Sequence, residues 1–533
     1  MLQHRTGAAL DLSNPKFSVH SKVCPTDSPA DGTLQHGPSA RQISGLWMRS
    51  LVCLCLLLGL LYGASRMLPL SSAIELGTDE GYELAKASLQ ARGYALYSQI
   101  WNDQPPLFTG ILSYAFRMTE PSALVARLTV VAFSLLLLFS LFGLVSQRSG
   151  KVAASAGTLF LACSPFYLSL SSSVMQEVPA FSMAMASVWA GLRWRCDRRS
   201  GWVLLSGVLM GFALMIKFTA ALVIPALVVE FVVWKAPRKE SIKVGAIWGL
   251  MVFASCVCTA AAFGFGGISM LVQPHIRVGA YPGISKPADF AFPVELIYGH
   301  WEVYLCVLVA LGVIWKKRLW SEATFPGILL LTVTIVHLMH RPWWYYYYPH
   351  HAIPLAWIAA ILVREAIEPI ERAFKASQLR LDALLAAATL SGLSAISFTR
   401  AEEELKRMQA RPKIANSRIL TRIHQYRDQT RWFYAQPVVY AFHARLPVPP
   451  ELAVVTLKRY WSGEMTWQKL LKTVERYHPE QMLLLNSPMG PEWNEFLSTK
   501  YRLECEEGQM RLYVSKALKQ VVPSSSARPN TAH

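Results

Sequence analysis

The chain has 533 residues, 53% of them hydrophobic and only 16% charged, with a mean hydropathy of +0.29 and a formal net charge of +18. These proportions argue against a soluble enzyme, because the apolar residues gather in uncharged runs such as LVCLCLLLGLLYG, LTVVAFSLLLLFSLFGLV and FPGILLLTVTIV, and about 20 apolar residues cross a bilayer core as a helix. The charge argues against a nucleic-acid partner, because many of the cations sit in short connections between apolar runs, the topology signal of membrane proteins.

Residues 1–46 are rich in Ser, Pro, Gly, Thr and Gln and read as a disordered cytoplasmic tail. The run 47–70 then reads as an uncleaved signal-anchor. Further apolar runs place spans at 123–146, 152–172, 176–194, 201–216, 218–235, 244–265, 295–315, 324–340, 350–363 and 381–399, about 11 in all. With the N-terminus inside, seventeen lysines and arginines fall in inside connections and eight in outside ones, the bias of the positive-inside rule. The expected setting is the cell (inner or plasma) membrane, crossed many times. The long loops 71–121 and 266–294 and the stretch HRPWWYYYYPHH then gather on the outer face. Nine cysteines show no CxxC or Cys/His metal spacing and imply no disulfide framework.

From residue 400 the composition turns charged. Residues 400–520 read as a small extracytoplasmic α/β domain, with PVVYAF, LAVVTL and QMLLLN as strands and TWQKLLKTVERY as a helix capped by Thr466. Residues 521–533 read as a disordered tail. The expected fold class is an all-α polytopic membrane protein with a small C-terminal soluble α/β domain.

The candidate site residues lie on the outer face. TDEGYE, residues 78–83, sets Asp79, Glu80 and Glu83 beside the first apolar run, where uncompensated charge is expensive. Asp79 reads either as a helix cap or as a site carboxylate. Asp103 and Gln104 precede Pro105-Pro106, a rigid entry to the next element. Glu177 opens the fourth span, either as a dipole-favourable residue or as a second acidic wall. Lys217 is a lone cation in GFALMIKFTAALVI, read as snorkelling or as a phosphate ligand. Arg341 begins RPWWYYYYPHH, with Tyr345 and His350, read as an interfacial aromatic belt or as a sugar or lipid-phosphate site.

In combination, TDEGYELAKASLQARGYALYSQIWNDQPPL, MQEVPA, GFALMIKFTA and RPWWYYYYPHH resemble the GT-C superfamily of polytopic glycosyltransferases. The resemblance is to the branch with protein O-mannosyltransferases, the lipid A aminoarabinose transferase and lipopolysaccharide-sugar transferases, and it spans most of 47–399. It implies a GT-C type fold. It implies a polyprenyl-phosphate sugar donor and a glycan, lipid or protein acceptor, with an inverting displacement. Asp79, with Glu80, would be catalytic; Asp103, Gln104, Glu177, Lys217, Arg341, Tyr345 and His350 would bind substrate. No cofactor is certain; a divalent ion, Mg²⁺ or Mn²⁺, is left open, with Asp79 and Glu177 as its ligands. Relatives often carry Lys before the Pro-Pro pair; this chain has Gln104, so a positive charge is missing there. The competing class is a polytopic transporter or lipid-linked-sugar flippase. Transport favours ionisable residues in mid-span and matching repeats, and here the ionisable residues lie at outer ends.

Overall fold

The structure is a computed structural model that describes residues 63, 67–70, 78–233, 238–263, 297, 300–339, 343–376, 381–486 and 490–519. The expected tails, loop 266–294, Arg341 and nearly all of span 47–70 lie outside the described residues.

The first described helix, α1 (Thr78–Ala91), carries Asp79 and Glu80 in its first turn, where the helix dipole favours them. Pro105-Pro106 then lead into α2 (Leu107–Met118); proline is tolerated at a helix start because the N–H it lacks has no partner there. The next helical stretch, α3 (Ala123–Ala162), is interrupted at Gly150, whose φ of 86° is in the left-handed region that glycine enters without strain. Ser134 Oγ and Tyr167 OH, on either side of that glycine, hydrogen-bond at 2.8 Å. The chain therefore doubles back at Gly150. After α4 (Pro165–Ser171) come α5 (Glu177–Asp197) and α6 (Ser200–Ile216). A 3-10 turn (Phe218–Val223) follows, then α7 (Ile224–Val233) and α8 (Arg238–Phe263).

Gly207 and Gly211 let α6 approach α8 closely. A Cβ on Gly207 would stand 2.6 Å from Met251 Cβ, and one on Gly211 would stand 2.6 Å from Ser255 Cβ. Small residues four apart are the usual device for such contact between apolar helices. Next come α9 (Trp301–Lys317), α10 (Trp320–Met339), a 3-10 turn (Tyr345–Tyr347), α11 (Tyr348–Lys375) and α12 (Leu381–Ala410). The bundle is closed at one end by ion pairs, with Arg148 and Arg195 on Glu230 and Arg364 on Glu322. Trp357 of α11 is fully buried against Phe325 of α10.

Among the described residues, α3, α8, α10 and α12 are long and apolar enough to cross a membrane. That is four helices against the eleven spans expected. Ser200–Ile216 and Phe218–Phe231 are shorter apolar helices, because the chain breaks at Lys217.

The C-terminal part has its own core around Tyr426, Phe433, Tyr434, Leu483 and Trp493. Its four-stranded sheet has the order β1-β2-β4-β3, from β1 (Phe433–Ala435), β2 (Gln481–Leu485), β3 (Tyr501–Glu507) and β4 (Met510–Ser515). β1 and β2 run parallel and the other neighbours antiparallel. The helices of this part are α13 (Arg418–Gln425), α14 (Val439–His443), α15 (Leu457–Trp461), α16 (Trp467–Tyr477) and α17 (Pro491–Lys500).

Two expected strands are corrected. PVVYAF contributes α14, and LAVVTL is a 3-10 turn (Pro450–Leu452) continuing into irregular chain. Val438, Val439, Val454 and Val455 are all buried rather than alternating between faces, so tertiary packing outweighed their β propensity. QMLLLN does form β2, and Thr466 caps α16 by accepting from Lys469 N–H at 3.2 Å. The change of composition at residue 400 falls inside one continuous helix, α12.

Candidate active site

The two neighbouring acids of α1 have separate surroundings. Glu80 is fully buried. Arg127 Nε donates to its Oε1 at 2.8 Å and Arg127 Nη2 to its Oε2 at 3.2 Å, while Val174 N–H donates to Oε1 at 3.2 Å. Arg127 Nη1 also donates to the Leu70 carbonyl at 3.0 Å. Glu80 thus ties α1 to α3 and to the turn before α5.

Glu83, one turn on, is likewise buried. It pairs with Lys86 and accepts from Thr109 Oγ1 at 3.0 Å and Gln176 Nε2 at 2.9 Å. Lys86 also donates to Asn102 Oδ1 at 2.9 Å. The Gln104 carbonyl accepts from Tyr97 OH and from Asn102 Nδ2, both at 2.7 Å. This network holds the segment that carries Asp103 and Gln104 against α1.

Asp79 is only partly buried, and it lies within electrostatic range of Lys217, Lys458, Asp103 and Glu83. Burial holds its carboxyl above the ordinary carboxylate range. The two lysines pull it back down, and the two neighbouring acids push it further up. That is the environment of a carboxylate drawn toward the working range of a general base.

Lys217 stands where α6 ends. Its backbone is extended, with φ −156° and ψ 133°, and its N–H donates to the Ala213 carbonyl at 3.0 Å. The break turns the side chain onto Glu177, with which it forms an ion pair. The same ammonium lies 4.9 Å from the ring centroid of Tyr346 and 5.8 Å from that of Tyr347, within the range of a cation-π contact. Glu177 is fully buried, and its Oε2 has no hydrogen-bond partner among the described residues. A buried acceptor left open in this way is rare.

Tyr345, Tyr346 and Tyr347 form the 3-10 turn beside these charges. Burial raises all three phenols above their ordinary range, and the nearby carboxylates of Asp79 and Glu177 add to the effect. They stay neutral hydrogen-bond donors. His350 lies further in: its ring stacks on Phe181 at 4.2 Å between centroids, and its Nδ1 is 2.9 Å from His337 Nε2.

The structure thus brings Asp79, Asp103, Glu177, Lys217 and Tyr345 together at one end of the bundle. It places Glu80 in a separate ion pair and His350 behind Tyr347, whose ring centroid is 5.5 Å away. Lys458 is a residue that sequence reasoning missed. It reaches the site from α15, pairs with Asp103 and lies 355 positions away from it in the chain. Nothing in TLKRYW separates it from a surface lysine. The buried Glu83–Lys86 pair was also missed.

No three of His, Cys, Asp and Glu converge as metal ligands among the described residues. Of the two acids expected as metal ligands, Glu177 pairs with the Lys217 ammonium and Asp79 lies within electrostatic range of it.

A family model for dolichyl-phosphate-mannose-protein mannosyltransferase matches residues 103–262, a stretch that includes Asp103, Glu177 and Lys217. No curated protein matches the chain in sequence. Among solved structures, ArnT from Cupriavidus metallidurans bound to undecaprenyl phosphate aligns with a TM-score of 0.57 at 13% identity, over 87% of this chain and 98% of its own. The oligosaccharyltransferase AglB from Archaeoglobus fulgidus, in complex with an inhibitory peptide and a dolichol-phosphate, gives 0.53 at 12% identity over 82% and 70%. The chain has the GT-C fold. Charged groups from α1, the α1–α2 segment, α5, the α6 break and the C-terminal domain meet at a single end of the helical bundle.

Proposed function

We propose that this protein is an integral membrane glycosyltransferase that moves a sugar from a polyprenyl-phosphate donor to an acceptor hydroxyl of a glycan, lipid or protein at the extracytoplasmic face. The observation that carries the reading is the partly buried Asp79 among Asp103, Glu177 and the cations Lys217 and Lys458. The family match over 103–262 and the fold shared with ArnT and AglB, both solved with a polyprenyl phosphate, support the donor class.

An acceptor hydroxyl is a weak nucleophile until a base takes its proton. Asp79 takes that proton as the acceptor oxygen attacks the anomeric carbon. The bond between that carbon and the phosphate oxygen breaks, and its electron pair leaves with the lipid phosphate, which goes from a diester monoanion to a monoester dianion. Attack opposite the leaving group inverts the anomeric centre. The charge that develops on the phosphate calls for a placed cation, and Lys217 supplies it. Glu177 Oε2 and the phenols of Tyr345 and Tyr346 serve sugar or acceptor hydroxyls. Glu80 acts through position: it holds the first turn of α1 so that Asp79 points at the site.

The test is transfer in purified protein supplied with polyprenyl-phosphate sugars and candidate acceptors. Asp79→Asn lowers the rate by about 10²-fold or more, the scale of a lost general base. Transfer by the variant at the wild-type rate removes Asp79 from this role. Movement of the lipid-linked sugar across vesicles with no transfer to any acceptor points to the flippase reading instead.

A further inference from the structure

We infer that Lys458, carried by the C-terminal domain, is a second ligand for the donor's phosphate, so that the site is incomplete without that domain. The inference rests on the glycosyltransferase reading above and adds to it a residue and a domain.

α15 is five residues long, too short to hold a direction unaided. It is anchored from both sides. The buried Arg459 guanidinium donates to the carbonyls of Glu451 at 3.1 Å and Val454 at 2.7 Å, and it lies 5.1 Å from the Trp101 ring centroid. Trp101 Nε1 donates to Glu464 Oε2 at 2.7 Å, and Tyr82 OH donates to the Val455 carbonyl at 2.8 Å. On the apolar side, Leu89, Leu96 and Ile100 pack with Ala453 and Val454. These contacts dock the 451–464 segment on α1 and on the loop that carries Asp103. Docking therefore does not depend on the Lys458 charge.

That charge sits at the edge of the site. The Lys458 side chain keeps 26% exposure against 12% for Asp103, its partner. Lys86 is sealed between Glu83 and Asn102. Lys217 and Lys458 both act on Asp79; Lys217 keeps the buried Glu177 as its partner and has further N–H donors, while Lys458 is held by Asp103, an acid that an incoming phosphate can replace. A lysine on a flexible stem exchanges one oxyanion for another readily, as a point charge. Two cations also match the reaction, because the lipid phosphate leaves with one more negative charge than it brings. Gln104, beside Asp103, adds no charge of its own.

The experiment measures binding of undecaprenyl phosphate, with undecaprenol as the neutral control, to full-length protein in nanodiscs. Four proteins are compared: wild type, K458Q, K458R and D103N. K458Q weakens phosphate binding by about tenfold or more, the scale of one hydrogen bond to a charged group, and leaves undecaprenol binding unchanged. K458R, which keeps the charge and the pair, keeps most of the affinity. D103N, which frees Lys458, tightens phosphate binding. If Lys458 only latches the domain, K458Q and D103N break the same pair and weaken binding alike; that result, or unchanged binding in K458Q, overturns the inference while wild type still binds. If wild type prefers the phosphate no more than the alcohol, the donor reading itself falls and takes this inference with it.

Discussion

Glu80 and Arg127 form a two-point ion pair sealed from solvent, at 2.8 and 3.2 Å, with the guanidinium also bound to the Leu70 carbonyl. Neighbouring carboxylates have thus been given different duties: Glu80 neutralised and fixed, Asp79 partly open. Breaking a buried pair from one side leaves an uncompensated charge, at about 3–5 kcal/mol. Arg127→Met is expected to destabilise by that much, and Glu80→Gln by less, because the amide keeps part of the hydrogen bonding. The double variant costs less than the two singles combined, since neither charge is left alone. Thermal unfolding in detergent checks all three; additive costs would show that the pair is not the unit of stability.

Asp79 predicts a pH profile. The base works ionised, and burial holds its carboxyl above the ordinary range. The rate therefore rises with pH through a midpoint above that of an exposed aspartate, about 3.9. Lys217 and Lys458 lower this carboxyl, so Lys217→Gln moves the midpoint further up. Stability has the opposite sign. A carboxyl raised in the folded state stabilises below the unfolded value, and that contribution is lost as pH rises through the folded value. Asp79→Asn, which cannot ionise, is expected to be at least as stable as wild type at neutral pH, with the difference fading in acid. Melting curves across pH 3 to 8 in the two proteins, a range about the unfolded value, decide this.

Much of the fold was legible because apolar runs and turn residues act locally. The Pro-Pro entry starts α2, Thr466 caps α16, and QMLLLN pairs as β2. Asp79 and Glu80 fall in the first turn of α1 and Glu177 in that of α5, the helix starts their residue types suggest. What could not be read was long-range pairing. Nothing local marks Arg127, inside the run read as span 123–146, as the residue that neutralises Glu80. Lys458 looked like a surface lysine of another domain, yet it pairs with Asp103. PVVYAF carries a strand-like composition, but its valines pack against α1 from a short helix. Such choices are settled by neighbours distant in sequence, which no local period encodes.

At Gly81 the C-terminal domain packs tightly on α1. A Cβ there would lie 3.0 Å from Val439 Cβ, 3.1 Å from Val439 N and 3.3 Å from Val438 Cγ1. Two of these atoms belong to the branch point and backbone of α14 and cannot swing aside. Gly81→Val therefore forces α14 away from α1, at about 1–3 kcal/mol for overpacking. Hydrogen exchange should report the shift as faster opening over 433–455, with the exchange of α5 and α6 unchanged. Equal protection in both proteins would mean that the interface has room for the added side chain.

Lys217 carries two consequences that a double variant separates. In the fold, it neutralises Glu177, which is fully buried. In the proposed reaction, it meets the leaving phosphate. Lys217→Met removes both functions: the buried carboxylate loses its counter-charge and stability falls by about 3–5 kcal/mol, while transfer falls by about 10²–10³, as when one placed transition-state donor is deleted. Adding Glu177→Gln removes the stranded charge, so the double variant recovers most of the stability. It does not recover transfer, because the Lys217 ammonium is gone and Lys458 alone is left to meet the phosphate. Measured together, melting temperature and transfer rate should move apart in the double variant; a rate that returns with stability would make Lys217 a structural counter-ion and leave the leaving phosphate to another cation.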